Sequence, residues 1–313
     1  MRSNAFFING GYGRVVCSIP AFEKYYEESG DEDFIIVCEG GTDAFKGHPL
    51  LDERAYDHWH KALFKDKLKD RDIVSTEPYR VWEYYNQKCS LTQAFDIQIN
   101  DKGLRELPKP KINLSKEELI TGRKLIADCK EKLKKDKIIV IQPFGRSMQH
   151  IDNSFVDNSG RSIEYKDLKA LIRKLQEKDF GVVLMSEMQF DFSKDKFKQE
   201  VAMPEGVNLR QWMAILKYAD HFLGCDSVGQ HLSYTSETPT TAIIGSTFPI
   251  NVSYPECDFF NIIDLGMHER VYDPIRIMPD ETTSRNNENI MTMTPEIHDY
   301  IINTILGIKN DEE

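Results

Sequence analysis

Two hydrophobic patterns alternate along this chain, and their order predicts a layered α/β protein. Short, nearly continuous apolar runs of strand length stand at Ala5–Asn9, Phe34–Cys38, Ile138–Ile141, Gly181–Met185, Phe222–Leu223 and Thr240–Ile244. Runs without a polar face are the pattern of parallel strands covered on both sides. Between them apolar residues recur at helical spacing. Val15, Ile19, Phe22 and Tyr26 predict a helix over about 14–28. Ser115-x-x-Glu118 reads as a capping box opening a helix that runs to Leu133. Further helices are expected over about Ile163–Gln176, Leu209–Tyr218, Gly229–Thr235 and Pro295–Leu306. The stretch His48–Asn100 is less regular and rich in aromatic residues, among them Tyr56, Trp59, Phe64, Tyr79, Trp82, Tyr84 and Tyr85.

Pro108 and Pro110 mark a linker, after which the strand–helix alternation restarts. A chain of 313 residues suits two domains of about 150 residues each. The expectation is two Rossmann-like domains facing a cleft: residues 1–112, then residues 113–294. Residues 295–313 form a C-terminal helix and tail, expected to pack back on the first domain. Open α/β sheets bind ligands at the carboxyl ends of their strands. The informative loops are therefore Gly10–Arg14, Glu39–Asp43, Gln142–Arg146, Ser186–Glu187, Cys225–His231 and Gly245–Thr247.

Composition narrows the choice of function. Hydrophobic content of 40% and aromatic content of 11% belong to a folded protein. A net charge of −11 argues against a broadly basic nucleic-acid surface. It leaves room for a local basic groove, for instance at Lys61, Lys65, Lys67, Lys69 and Arg71. Six scattered cysteines without C-x-x-C spacing read as reduced, packed thiols rather than a disulfide framework or zinc site. No apolar run approaches the ~18 residues of a membrane span. The first apolar run breaks into glycines too soon for a signal peptide. A cytoplasmic location is expected, in the host cell if the chain is phage-encoded.

The strand that ends in Gly224-Cys225-Asp226-Ser227 runs straight into a helix. Free N–H groups and the dipole at a helix N-terminus favour a phosphate or diphosphate. Asp226 and Ser227 are also good N-cap residues, so plain capping is the competing reading. The run Leu209-Arg210-Gln211-Trp212-Met213-Ala214-Ile215-Leu216, followed by Ala219-Asp220, Gly224-x-Asp226-Ser227, His231-Leu232, Thr238-Pro239-Thr240 and Gly245-Ser246-Thr247-x-Pro249, resembles the C-terminal half of heptosyltransferase-type glycosyltransferases. That resemblance implies the GT-B fold and an α/β architecture. It also implies transfer of a sugar from a nucleotide-diphosphate donor to an acceptor hydroxyl, with no metal and no cofactor beyond the donor as co-substrate. Two departures stand out. Val228 separates Ser227 from Gly229, and Arg14 occupies the place after Gly13 where the family carries Asp, its usual candidate base.

On this reading the donor is held by Asp226, Ser227, Gly229 and His231, by Gly245 and Thr247, and by backbone at Gly11 and Gly13. His231 has the alternative of pointing into the protein. Arg161 is favoured by resemblance and Arg146 by position for the donor phosphates, while Glu187 sits where a nucleobase or ribose belongs in this fold. Arg14 can grip a phosphate bidentately. For the base, Glu39 ends a buried strand beside the glycine loop, where partial burial would raise its pKa, and Asp43 is the runner-up. His58 and His60 offer imidazoles and Trp59 a stacking face for the acceptor; two-residue spacing without a third ligand does not make a metal site. Asp70-Arg71-Asp72 has the look of a metal-binding D-x-D, and in its run of charges reads as surface. The acceptor is a saccharide core by resemblance, or a hydroxymethylated base of phage DNA. A nucleotide-sugar epimerase and a non-catalytic sugar-nucleotide binding protein are the rival classes.

Overall fold

The computed structural model describes residues 2–151, 154–157, 159–188, 190–271, 287 and 289–308. The chain divides between Ser115 and Lys116 into two compact units. In the first, β1 (Asn4–Ile8) leads into α1 (Tyr12–Glu28), β2 (Ile35–Cys38), β3 (Ala55–Asp57) and β4 (Asp72–Thr76). Two further helices follow, α2 (Trp82–Tyr85) and α3 (Leu91–Asn100). The strands are all parallel, in the order β3-β2-β1-β4. Successive strands step outward from β1 to β3, and then the chain returns to the other side of β1 for β4. The topological switch point of this sheet therefore lies between β1 and β4. Its core is aromatic. Phe6 meets Phe22 and Tyr25 edge-on at centroid distances of 5.5 and 4.8 Å, and Phe34 closes the group.

The second unit begins with α4 (Lys116–Leu133) and β5 (Lys137–Gln142). A short antiparallel pair, β6 (Gln149–Ile151) and β7 (Ser154–Val156), precedes α5 (Tyr165–Glu177) and β8 (Phe180–Leu184). Then come α6 (Leu209–Leu216), β9 (His221–Cys225), α7 (Val228–Ser236) and β10 (Thr240–Ile244). The series ends with α8 (Pro249–Val252), β11 (Phe260–Asp264) and α9 (Pro295–Leu306). The parallel sheet has the order β11-β10-β9-β5-β8. Here the chain moves from β5 to one side, then crosses to place β9 on the other, so the switch point lies between β5 and β9. β8, β9 and β10 are buried at every position, which is why each reads as an apolar run.

The C-terminal helix, expected to return to the first domain, belongs to the second unit. His298 Nε2 lies 3.1 Å from Asp167 Oδ1 on α5, and Lys174 pairs with Asp299 at 2.5 Å. Glu118, expected to close a capping box, takes hydrogen bonds from Arg210 Nε and Nη2 at 2.6 and 2.9 Å, tying α4 to α6. Among the described residues no helix is long and apolar enough to cross a membrane.

Candidate functional site

The switch point of the second sheet is built from three strand ends. β9 stops at Cys225, Asp226 follows, and Ser227 takes extended backbone as the residue before α7. Its hydroxyl does not cap the helix. Gln142, the last residue of β5, does so from across the sheet: its Oε1 accepts the Gly229 N–H at 2.6 Å and its Nε2 donates to Ser227 Oγ at 3.2 Å. A Cβ at position 229 would stand 2.3 Å from Gln142 Oε1 and 2.5 Å from the Phe222 ring. Gly229 therefore permits close packing, and its N–H, expected to meet a donor phosphate, is already taken. The amides on either side of it, in the first turn of α7, keep the dipole's positive end.

Asp226 is buried with donors on both oxygens. Oδ1 accepts from Gln230 Nε2 and Oδ2 from Thr247 Oγ1, each at 2.9 Å. Arg161 Nη1 lies 3.8 Å from Oδ2. Gln230 is held in turn by Ser253 Oγ, which donates to its Oε1 at 2.6 Å. Arg161 comes from a loop organised by Asp157, whose carboxylate accepts from Ser147 Oγ at 2.7 Å, Ser159 N at 2.8 Å, Ser159 Oγ at 2.5 Å and Ser162 N at 3.1 Å. Burial by itself pushes the Asp157 carboxyl up. The hydroxyls of Ser159, Ser162 and Ser147 and the Ser159 N–H outweigh it and hold the group below the usual carboxylate range. Ser246 fastens this loop to the end of β10, its N–H to Gly160 O at 3.1 Å and its hydroxyl to Ser159 O at 2.6 Å. Gly245 is also a packing position, since a Cβ there would lie 2.4 Å from Met291 Sδ and 2.7 Å from Gly160 O.

His231 takes the inward alternative. It falls on the inward side of α7, its ring is buried, and Nδ1 lies 2.7 Å from the Tyr254 hydroxyl. Burial pushes its pKa down to about 4, so the imidazole is neutral at pH 7.

The first unit has a polar cluster at its own switch point. Gly10, at φ +96°, donates its N–H to Glu39 Oε2 at 2.6 Å. Glu39 is exposed, so the burial expected to tune it as a base is absent. Arg14, expected at a phosphate, is buried instead, because helix α1 starts at Tyr12 and turns this side chain inward. Its guanidinium carbon lies 4.9 Å from the Tyr79 ring and 5.8 Å from Phe95. Nη2 donates to Thr76 O at 3.3 Å and stands 3.9 Å from Glu77 Oε2. Glu77, at the end of β4, also accepts from Asn9 Nδ2 through Oε1 at 3.2 Å, and its own N–H donates to Gln98 at 2.8 Å. Nothing in the sequence gives Glu77, or Gln142 beyond its place in the loop 142–146, a role of its own. β4 is mostly polar, with no apolar run to announce a strand end, and a glutamine closing a strand carries no motif.

No protein-family model matches the chain, and no curated protein matches it in sequence. Solved structures do match. A family 9 glycosyl transferase from Veillonella parvula superposes with a TM-score of 0.67 at 11% identity, covering 97% of this chain and 97% of that one. The Escherichia coli ADP-heptose lipopolysaccharide heptosyltransferase II gives 0.63 at 12% identity, over 97% and 98%. TibC, an iron-containing dodecameric glycosyltransferase of enterotoxigenic E. coli, gives 0.61 at 13%, over 98% of this chain and 76% of its own. The fold is GT-B.

Within the GT-B frame the other expected residues fall in different places. Asp226, Ser227, Thr247 and Arg161 come together at the second switch point. Arg146 and Glu187 are exposed on the loops after β5 and β8. Gly11 precedes α1 and Gly13 lies within it, so both belong to the first unit. Asp43 is half-buried in the one-turn helix Thr42–Phe45. His58, Trp59 and His60 follow the edge strand β3, two strands from the switch point, with Trp59 62% exposed. Among the described residues no cluster of three or more His, Cys, Asp or Glu is arranged to hold a metal. In the D-x-D stretch, Asp70 takes a left-handed turn at φ +61° and Arg71 is tied to Asp33 at 2.8 Å.

Proposed function

We propose that this chain is a glycosyltransferase that moves a sugar from a nucleoside-diphosphate donor to an acceptor hydroxyl, with the donor held on the second unit. The observation that carries the reading is the buried Asp226 carboxylate at the β5/β9 switch point, with Arg161 3.8 Å away. Carboxylate oxygens accept hydrogen bonds, so beside its two protein donors this group suits the hydroxyls of a ribose or sugar. Arg161 and the dipole at the N-terminus of α7 supply the positive potential that a departing diphosphate needs, in the role a metal ion plays elsewhere. The neighbour named for ADP-heptose and lipopolysaccharide supports an adenine nucleotide sugar as the first donor to try and a saccharide as the first acceptor.

Calorimetric titration with ADP-, UDP- and GDP-sugars tests this. One of them is expected to bind, and Arg161→Ala to weaken it at least tenfold, the loss of about 1.4 kcal/mol. The reading fails if none binds at millimolar concentration, or if Arg161→Ala and Asp226→Asn both bind as the unsubstituted protein does.

A further inference from the structure

Neither switch point uses the crossover that joins β3 to β4, residues 58–71. Its only regular element is one helical turn, Leu63–Lys67. Leu63 and Leu68 are buried and anchor the crossover on Ala5, Ile35 and Val37. Ala5 and Phe6 are neighbours on β1 and point to opposite faces of the sheet. Phe6 meets α1 through Phe22, so the crossover covers the face opposite that helix. With its leucines turned inward, it presents other apolar groups to solvent. Phe64 is 79% exposed and Trp59, in the turn that opens the crossover, 62%. Ile73 is in register with Ala5 on the neighbouring strand, lies on the same face of the sheet and is 63% exposed. Exposed large apolar side chains that gather in this way mark an interaction surface, where single ones do not. The charges divide similarly. Lys67 donates to the Tyr56 hydroxyl at 2.9 Å, and Arg71 is tied to Asp33 at 2.8 Å. Lys61, Lys65 and Lys69 are exposed and join no ion pair among the described residues. Residues 58–71 hold five Lys and Arg against two Asp, in a chain whose net charge is −11. This stretch is cationic where the molecule as a whole is anionic.

We propose that this face of the first unit docks on an anionic membrane surface. Trp59, Phe64 and Ile73 enter the boundary between headgroups and acyl chains, and Lys61, Lys65 and Lys69 meet the lipid phosphates. Charge complementarity selects the sign of the partner, and the apolar side chains select its kind. Trp59 and Phe64 could stack on the bases of a nucleic acid, but Ile73 has no flat face to offer. Hydrocarbon accepts all three. Tryptophan suits this boundary, with an apolar body and an N–H for water or a headgroup. Lysine stems lie along apolar surface while their ammonium groups reach outward to the phosphates. Near an anionic surface each lysine adds about fivefold to binding. Every residue involved belongs to the first unit, so docking is separable from donor binding on the second.

Co-sedimentation of the full chain with vesicles tests this, using phosphatidylcholine alone and phosphatidylcholine with phosphatidylglycerol in equal parts. Binding to the mixed vesicles is expected to be about tenfold tighter or more than to phosphatidylcholine alone, and to weaken as salt is added. Phe64→Ser should weaken it by about tenfold or more. Lys61→Glu combined with Lys65→Glu should weaken it by about 25-fold or more. These side chains are exposed, so both variants should melt close to the unsubstituted protein. In a Trp82→Phe background only Trp59 and the buried Trp212 remain, and emission should move to shorter wavelength with mixed vesicles as Trp59 leaves water. The proposal is overturned if the protein does not sediment with mixed vesicles, if Phe64→Ser and the double lysine variant both bind within twofold of the unsubstituted protein, or if the Trp59 emission stays unchanged. A single-stranded oligonucleotide held more tightly than mixed vesicles assigns the face to nucleic acid instead. A dimer that Phe64→Ser dissolves, formed without vesicle binding, assigns it to a second copy of this chain. Either result overturns membrane docking.

Discussion

Gln142 closes the N-terminus of α7 from a neighbouring strand, and that one contact redefines Gly229. A glycine beside a helix N-terminus suggests backbone exposed to a ligand, yet here the missing side chain makes room for the Gln142 amide and the Phe222 ring. Gly229→Ala is expected to cost about 1–3 kcal/mol by overpacking, read as a lower midpoint in urea unfolding. Asp157 acts at one remove from Arg161. It gathers Ser147, Ser159 and Ser162, and Ser159 Oγ accepts from Arg161 Nε at 3.2 Å. Asp157→Asn puts an amide donor among those hydroxyls, so donor affinity measured by calorimetry should fall several-fold through Arg161; unchanged affinity would show that Arg161 is positioned without this loop. Asp226 and Arg161 stand out in sequence because both sit in patterns with a recognisable order, and the structure sets Nη1 3.8 Å from Oδ2. Gln142 and Glu77 do not, since their meaning lies in partners 87 and 68 residues away.

At the scale of elements, legibility followed burial. β2, β8, β9 and β10 are covered along their whole length, and their apolar runs announce them. β3 and β4 are the two edges of the first sheet, half-buried or exposed at most positions, and their polar sequences do not. Missing β4 hid the switch point of the first unit and with it Glu77. α4 and α6 show the converse, a contact that no periodicity predicts. Gly122 lets the two backbones touch, and a Cβ at that position would lie 2.4 Å from the Ala214 carbonyl carbon. Gly122→Val should therefore separate the helices and destabilise the protein by about 1–3 kcal/mol. Chemical denaturation checks this, with a fall in midpoint and an unchanged slope as the expected result.

Over the whole molecule, two buried histidines tie stability to pH. Burial pushes both His221 and His231 down to about 4, against about 6.5 in an unfolded chain. Below pH 6.5 the unfolded state binds protons that the folded state refuses, so stability present above pH 6.5 is lost as the pH falls toward 4. Each site contributes up to about 3 kcal/mol of that loss. Thermal unfolding between pH 4 and 8 should show a decline over this window, shallower in His221→Asn; a flat profile would mean that these rings protonate in place. A nucleotide sugar should act in the opposite direction. At a hundred times its dissociation constant it adds about 2.7 kcal/mol by mass action, visible as a rise in melting temperature.

The buried strands, the helices that flank them, the restart of the alternation after Pro110 and the strand-to-helix entry at Ser227 follow from the sequence alone, because hydrophobic periodicity and helix capping are properties of neighbouring residues. Which groups come together was decided by tertiary structure. Parallel pairing sets Gln142 beside Gly229 and Asn9 beside Glu77, and helix α1 buries Arg14 between aromatic rings. The physical reason is the crossover between parallel strands, which brings together ends that lie far apart in the chain. A side chain's charge and hydrogen-bonding capacity are written in its identity, but the partner that uses them is chosen by the sheet.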